Sequence, residues 1–317
     1  MKQIFRRSFF KGVFSGLALS ARGGAAPGPA AQTKTRRMDE MTSREIEFYL
    51  KDGGDLAFVP FGPVSGHGAF IPVGMHAHWA AALSVLMAEK ANGLVFPPTF
   101  TCFAGATRTF RGTVSFPVSE QVGILKRIAS TLHAAGFKRT VLVAGTNPED
   151  TGGIIAARSL FDETETPYFY LQGSRLLEAP QIRAMYQGYP GNFGETLIEL
   201  ASLRILGRER PIPLANWAKE IKPDDGGDQP SAIAADMRAM RRFGAVGWRY
   251  FEEKNHGNHG TAGIVFKGRS DIDLAVDVLH KCAELALPAL ESFARYRQWL
   301  AEHPMQYIQA TDRLEEK

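Results

Sequence analysis

The sequence predicts an α/β fold in which a layered, mostly parallel sheet is flanked by helices. Short apolar runs bounded by Gly and Pro alternate with longer segments of helical periodicity through the first half of the chain, as expected of consecutive strand–helix units. Apolar residues make up 44% of the 317 positions, which is enough for one large core. We therefore expect a single domain over residues 41–317.

The predicted elements follow one another closely up to about residue 206. Thr42–Glu45 has the form of a capping box and starts a short helix. Buried strands are predicted from apolar, β-branched runs, and helices from apolar residues at helical spacing. The strands are Leu56–Phe61, Leu94–Phe96, Thr140–Ala144 and Tyr168–Leu171; the helices are Ala77–Asn92, one between a cap at Ser119 and Gly136, Ile154–Phe161, Thr196–Leu206, and Ser270–His303, kinked or broken at Pro288.

The N-terminus has the features of an export signal. Arg6–Lys11 fits the twin-arginine pattern, and a modestly apolar stretch, Gly12–Ser20, follows it. An amphipathic first helix is the alternative interpretation. We expect residues 1–31 to be a signal peptide and residues 32–40 a linker, so that the mature protein is periplasmic and crosses the membrane already folded. The apolar stretch is too short for a membrane span.

The basic character of the chain belongs largely to this leader. The formal net charge is +4, but residues 1–31 hold five basic residues and no acid, so the remaining chain carries about −1. The composition therefore gives no reason to expect a nucleic acid as a partner. The two cysteines, Cys102 and Cys282, could form one disulfide in an oxidising compartment, and the sequence leaves that open.

Three histidines follow the first predicted strand. His67 lies in a Gly- and Pro-rich loop, and His76 and His78 lie where the next helix begins. In an open α/β sheet this edge is where ligands usually bind. Neutral imidazole is the commonest metal ligand in proteins, so these residues are candidates for a divalent-metal site. Loop histidines hydrogen-bonded to the backbone are the alternative.

The stretch around these histidines resembles a known motif. PFGPVSGHGAFIPVGMHAHWAAAL, from Pro60 to Leu83, is similar to the first motif of the creatininase (creatinine amidohydrolase) family. Two later segments also resemble that family, Phe110–Ser115 and Tyr186–Thr196. The positions of the first motif that fall in register are Pro60, Gly62, His67, Gly68, Pro72 and Gly74.

The resemblance implies an enzyme that holds one or two divalent metals and cleaves a cyclic amide or a related C–N bond. The family's ligands are Glu, His, Asp, His and Glu. The corresponding positions here are Ser65, His67, His76, Thr146 and Glu195. Two ligands are therefore replaced outright, and one carboxylate has become an imidazole. The family's catalytic His falls at Pro190, or at Tyr189 after a shift of one residue.

The altered ligand set favours one metal over two. An imidazole binds one metal through one nitrogen, whereas bridging two cations favours a carboxylate, whose charge offsets their repulsion. We expect a mononuclear site formed by His67, His76 and Glu195, which could bind zinc, with iron or manganese as alternatives. Glu195 acts as a ligand or general base in this hypothesis. Further candidate ligands are His78, His256 and His259, and Thr146 and Asn147 are candidates for contact with substrate.

Two functions remain open on the sequence alone. The first is an exported metal-dependent hydrolase or lyase that acts on a small polar molecule such as a cyclic amide, lactone or sugar derivative. The second is a metal-free homologue that binds a ligand or partner without catalysis, which explains Ser65 and Thr146 most simply. A subunit that partners an active paralogue is a third hypothesis. The resemblance also implies a homo-oligomer.

Overall fold

The computed structural model describes residues 35–67, 71–145, 150–187, 194–209 and 269–306, together with Asp236 and Met240. Four strands form a sheet: β1 (Leu56–Phe61), β2 (Leu94–Val95), β3 (Arg139–Ala144) and β4 (Phe169–Gln172). All their pairings are parallel, in the order β2-β1-β3-β4. The predicted α/β class with a parallel sheet is confirmed.

The helices in the described ranges match the predicted series closely. They are α1 (Ser43–Lys51), α2 (Met75–Ala91), α3 (Val118–Ala134), α4 (Asp150–Thr164), α5 (Gly173–Leu177), α6 (Pro180–Met185), α7 (Glu195–Ile205) and α8 (Arg269–Glu302). The capping box at Thr42 and Glu45 is present. Several details differ. Helix α3 follows Pro117 without a side-chain cap, α4 extends beyond the predicted Ile154–Phe161 at both ends, α5 and α6 were not predicted, and α8 is not broken at Pro288.

The core has two parts, one on each face of the sheet. Side chains alternate along a strand, so Phe58 packs with α2, α7 and α8, whereas Val59 packs with the side that carries α1, α3 and α4. Helix α2 contacts β1 and β3 as well as α7 and α8. The carboxyl ends of β1 and β3 therefore meet the first turn of α2, and this arrangement positions the candidate site.

Part of the predicted linker belongs to the fold. Val95 on the edge strand donates its backbone N–H to the carbonyl of Arg36 at 2.8 Å, and Met38–Glu40 forms a short 3-10 helix. The last part of the predicted linker over residues 32–40 therefore pairs with the edge of the sheet. Within the described residues, no helix combines the length and apolar character that crossing a membrane requires.

The two cysteines are separate and buried on opposite faces of the sheet. Cys102 packs with the α3 side and Cys282 with the α8 side, and neither forms a disulfide. The disulfide that the sequence left open is not formed. Burial raises the pKa of the Cys282 thiol to about 12, which keeps it from forming the reactive thiolate.

The folded protein should therefore resist thiol alkylation. We expect iodoacetamide at mildly alkaline pH to leave Cys282 unmodified in the native protein, because a buried thiol with a raised pKa is a poor nucleophile. Both cysteines should react after unfolding in guanidinium. Intact-mass spectrometry before and after unfolding measures this, and rapid labelling of Cys282 in the native protein would contradict the described packing.

Candidate metal and catalytic site

The segment after β1 is held at the carboxyl edge of the sheet by backbone hydrogen bonds. Ser65 donates its N–H to the carbonyl of Val73 at 2.7 Å, and Val114 donates to the carbonyl of Val64 at 2.9 Å. These bonds fix the loop from both sides, since one partner precedes α2 and the other follows the 3-10 helix Gly105–Thr109. The loop that carries His67 is thereby held against both segments.

The first turn of α2 approaches the strand ends so closely that only glycine fits there. A Cβ on Gly62 would lie 2.5 Å from the backbone nitrogen of Ala77 and 2.8 Å from Cβ of His76. A Cβ on Gly145, at the end of β3, would lie 2.7 Å from the carbonyl oxygen of His76. The two glycines therefore allow the turn that carries His76 to sit directly on the sheet.

His67 and His76 meet through their ring nitrogens. Nε2 of His67 lies 2.6 Å from Nε2 of His76, and the ring centroids are 4.6 Å apart. Both side chains are buried, with exposures of 3% and 2%. The two imidazoles that the sequence singled out thus come from a loop and a helix and point at one shared position.

Glu195 contacts the other side of the His67 ring. Its Oε2 lies 3.2 Å from Nδ1 of His67, at the N-terminus of α7. The sequence-predicted trio of His67, His76 and Glu195 is therefore brought together. Within it, the carboxylate faces the nitrogen that points away from His76.

Two hydroxyl groups, those of Ser65 and Thr107, lie next to His67. Ser65 Oγ lies 3.1 Å from Nε2 of His67 and 2.5 Å from Oγ1 of Thr107. Thr107 donates its own proton to the carbonyl of Ala104 at 2.7 Å, so Ser65 is the donor to Thr107. The row Ser65–His67–Glu195 has the order of a hydrolase triad, but the Ser65 proton is directed to Thr107 and not to His67.

A second histidine–carboxylate pair lies beside this centre. Nδ1 of His78 lies 2.7 Å from Oε1 of Glu199, and the edge of the His78 ring meets Phe100 at a centroid distance of 6.0 Å. Glu199 is 1% exposed. Burial raises the pKa of the Glu199 carboxyl above its usual value, an effect that the hydrogen bond from His78 opposes.

The described donors fit part of a site for one cation. Zinc–nitrogen bonds of about 2.0–2.1 Å at tetrahedral angles place two ligand nitrogens about 3.3 Å apart, so the His67–His76 pair would have to open by less than about 1 Å. Glu195 and Glu199 supply negative charge behind the imidazoles. Among the described residues, no group of three or more His, Cys, Asp or Glu side chains is placed to hold a metal.

Four predicted site residues lie outside the described residues: Thr146, Asn147, His256 and His259. Their roles stay predictions, as does that of Tyr189 or Pro190 at the position of the family's catalytic histidine. Glu199 was not predicted from the sequence. The sequence did contain a signal, because Glu199 stands between apolar residues in the segment Leu197–Ala201, and a charge on a buried helix is expected to be paired.

The comparisons with known proteins agree with the motifs. Residues 39–179 match the family model Creatininase, described as creatinine amidohydrolase. No curated protein matches the chain. The matched segment contains β1 to β4 and both histidines of the buried pair.

Three solved structures show the same fold at low identity. A mutant creatininase complexed with creatine is 19% identical, with 82% of this chain and 99% of that chain covered and a TM-score of 0.58. A creatininase of the Zn–Zn type is 18% identical, with 80% and 98% covered and a TM-score of 0.57. A structure described as creatininase Mn is 20% identical, with 80% and 98% covered and a TM-score of 0.55. The family match over residues 39–179 and the shared fold both support a member of the creatininase family.

Proposed function

We propose that this chain is an exported hydrolase or lyase of a small polar cyclic amide, lactone or sugar-derived compound, with a single divalent cation held by His67 and His76. The observation that carries the proposal is the convergence of two buried Nε2 atoms at 2.6 Å. Structures of related folds include a Zn–Zn creatininase and a creatininase Mn, which supports a divalent metal. Zinc is the ion that we expect, with iron or manganese as alternatives.

The chain's own residues define what the site can do. When bound, a divalent cation supplies Lewis acidity toward a carbonyl oxygen. Burial of His67 and His76 excludes bulk water, which strengthens electrostatic interactions in the site. Glu195 orients the His67 ring from its Nδ1 side, and the hydroxyl of Ser65 lies 3.1 Å from Nε2 of the same ring. His78 and Glu199 add a second fixed imidazole nearby.

The proposal is tested first by metal analysis of the purified protein. We expect about one divalent metal per chain and a lower melting temperature after chelation, because a ligand that binds only the folded state stabilises it. Ring opening of creatinine, other small cyclic amides and lactones should then be assayed with and without the metal. Absence of metal, with no effect of the chelator on melting, would contradict the proposal.

A non-catalytic homologue is the second candidate. The observation that favours it is the buried Ser65–Thr107 hydroxyl pair at a position where the family has a metal-binding carboxylate. This candidate predicts a folded protein without bound metal whose melting temperature is insensitive to chelator. Metal analysis therefore separates the two candidates in one measurement.

Export is part of the proposal and has its own test. The pattern Arg6–Lys11 supports the twin-arginine route to the periplasm. We expect the double variant Arg6→Lys with Arg7→Lys to accumulate uncleaved in the cytoplasm of a bacterial host, whereas Arg22→Lys should be exported like the wild type. Cell fractionation with immunoblotting measures this, and normal export of the double variant would contradict the assignment.

Self-association is expected from the family resemblance. We propose that the mature chain forms a homo-oligomer, and light scattering coupled to size-exclusion chromatography gives its mass directly. A monomeric mass across the micromolar range would count against this part of the proposal.

A further inference from the structure

Helix α7 presents two carboxylates to two histidines that belong to other elements. Glu195 and Glu199 are four residues apart and so lie on one side of the helix. Oε2 of Glu195 lies 3.2 Å from Nδ1 of His67, and Oε1 of Glu199 lies 2.7 Å from Nδ1 of His78. The same ring nitrogen is contacted in both cases, although His67 is on a loop and His78 is on α2.

Contact at Nδ1 determines where the other nitrogen points. The two nitrogens of an imidazole ring diverge, so a group held at Nδ1 lies behind the ring as seen from Nε2. In His67, that second nitrogen faces Nε2 of His76 at 2.6 Å. Glu195 therefore stands on the far side of the ring from the position that the two Nε2 atoms share, which is not where a ligand of a cation at that position would lie.

Glu199 is placed in a way that a purely structural residue would rarely be. It is 1% exposed, and its Oε2 has no hydrogen-bond partner in the described structure. An unsatisfied buried carboxylate oxygen is unfavourable by about 1–3 kcal/mol or more, and such a group needs an explanation. Its hydrogen bond to His78 provides one, because it fixes a ring that is packed at the edge of the site next to Phe100.

We infer that Glu195 and Glu199 are positioning residues that fix the rings of His67 and His78 from their Nδ1 sides. The hydrogen bond to Glu199 holds His78 as the Nδ1–H tautomer, with its Nε2 left as the accepting nitrogen. Carboxylates placed behind ligand histidines are known to orient the ring and raise its basicity. Glu195 thus acts on the site through His67 and not as a metal ligand, and Glu199 joins the site as a residue of the same kind. The effect expected on metal affinity depends on the proposed function, whereas the tautomer of His78 does not.

The tautomers can be measured directly in the metal-free protein. Long-range proton–nitrogen NMR of the histidine rings distinguishes Nδ1–H from Nε2–H, and His78→Gln and His67→Gln variants identify the signals. We expect the His78 ring to be Nδ1–H in the wild type. Glu199→Met should convert His78 to Nε2–H, because the acceptor is lost at similar volume. Glu199→Gln should retain Nδ1–H, because its amide oxygen can still accept.

The wild-type spectrum and a control variant keep the test decisive if a Glu199 variant folds poorly. Glu284→Gln, at an exposed position on α8, is the control that should change neither ring. A wild-type spectrum with His78 as Nε2–H would overturn the inference without any variant. Retention of Nδ1–H in a folded Glu199→Met protein would overturn it as well.

Metal affinity separates a positioning residue from a ligand at Glu195. We expect Glu195→Met to weaken binding of Zn²⁺ by about 10- to 100-fold with unchanged stoichiometry, and Glu195→Gln to stay within several-fold of the wild type. Competition with a chromophoric chelator gives these affinities. Complete loss of binding in both variants would show that Glu195 is a ligand and overturn the inference. If the wild type binds no Zn²⁺, the proposed function fails, and the tautomer measurement alone decides this inference.

Discussion

Replacing His67 or His76 by alanine is expected to abolish stoichiometric metal binding. Each substitution removes one of the two nitrogens that converge at 2.6 Å, and the remaining described donors cannot substitute for it from their places behind the rings. The affinity for Zn²⁺ should fall by more than about 100-fold, beyond the losses typical of residues behind a ligand. Metal analysis after dialysis, followed by chelator competition, measures the loss.

His280→Ala is the matched control for this prediction. His280 is an exposed histidine on α8, so its removal changes the histidine count without touching the site. It should bind metal like the wild type. Unaltered metal content in both His67→Ala and His76→Ala would place the metal elsewhere and remove this site from the account.

Gly62→Ala is expected to destabilise the protein and to disturb the site together. The added Cβ would lie 2.5 Å from the backbone nitrogen of Ala77 and 2.8 Å from Cβ of His76, and backbone cannot yield as a flexible side chain can. Overpacking of this kind typically lowers the free energy of unfolding by about 1–3 kcal/mol. Because α2 must move away from β1, Zn²⁺ affinity should fall as well.

Gly123→Ala is the matched control, because an alanine side chain at this position has room. Gly123 lies in α3, and an added Cβ there meets no atom within 4 Å, so the change should stabilise the helix by about 0.5–1 kcal/mol and leave metal binding unchanged. Urea unfolding of both variants beside the wild type tests the pair. A Gly62→Ala protein as stable as the wild type would contradict the close approach of α2 to the sheet.

Much of the fold is accessible from the sequence because buried parallel strands have a local signature. The run Leu56–Phe61 was predicted with its observed bounds, since both of its faces are buried and Gly62 ends it. Helix α2 begins two residues earlier than predicted, which places His76 and His78 inside its first turn. Boundaries of this kind depend on how the helix packs on Gly62 and Gly145, and no local pattern contains that information.

Part of the site could also be predicted, because its residues follow a strand that has a local signature. His67 and His76 follow one strand and lie at one sheet edge, so their meeting could be expected from the parallel topology. The pairing of His78 with Glu199 joins residues 121 positions apart and requires the packing of α2 on α7. The side of the His67 ring that Glu195 contacts depends on a rotamer, which neither the motif nor its spacing determines.

The replaced ligand position also required the structure. The sequence shows only that Ser65 stands where the family has Glu. In the fold, Ser65 pairs with Thr107 from the segment after β2, so two hydroxyl groups lie next to His67. The proton of Thr107 is committed to Ala104, and this detail decides against Ser65 as a nucleophile activated by His67.

The most direct test of the account is an anomalous difference map from crystals grown with the purified, metal-loaded protein. The account predicts one peak about 2.0–2.1 Å from Nε2 of both His67 and His76, with Glu195 behind the His67 ring and outside bonding distance. A map without a peak between those two nitrogens, in a protein that retains its metal, would contradict it.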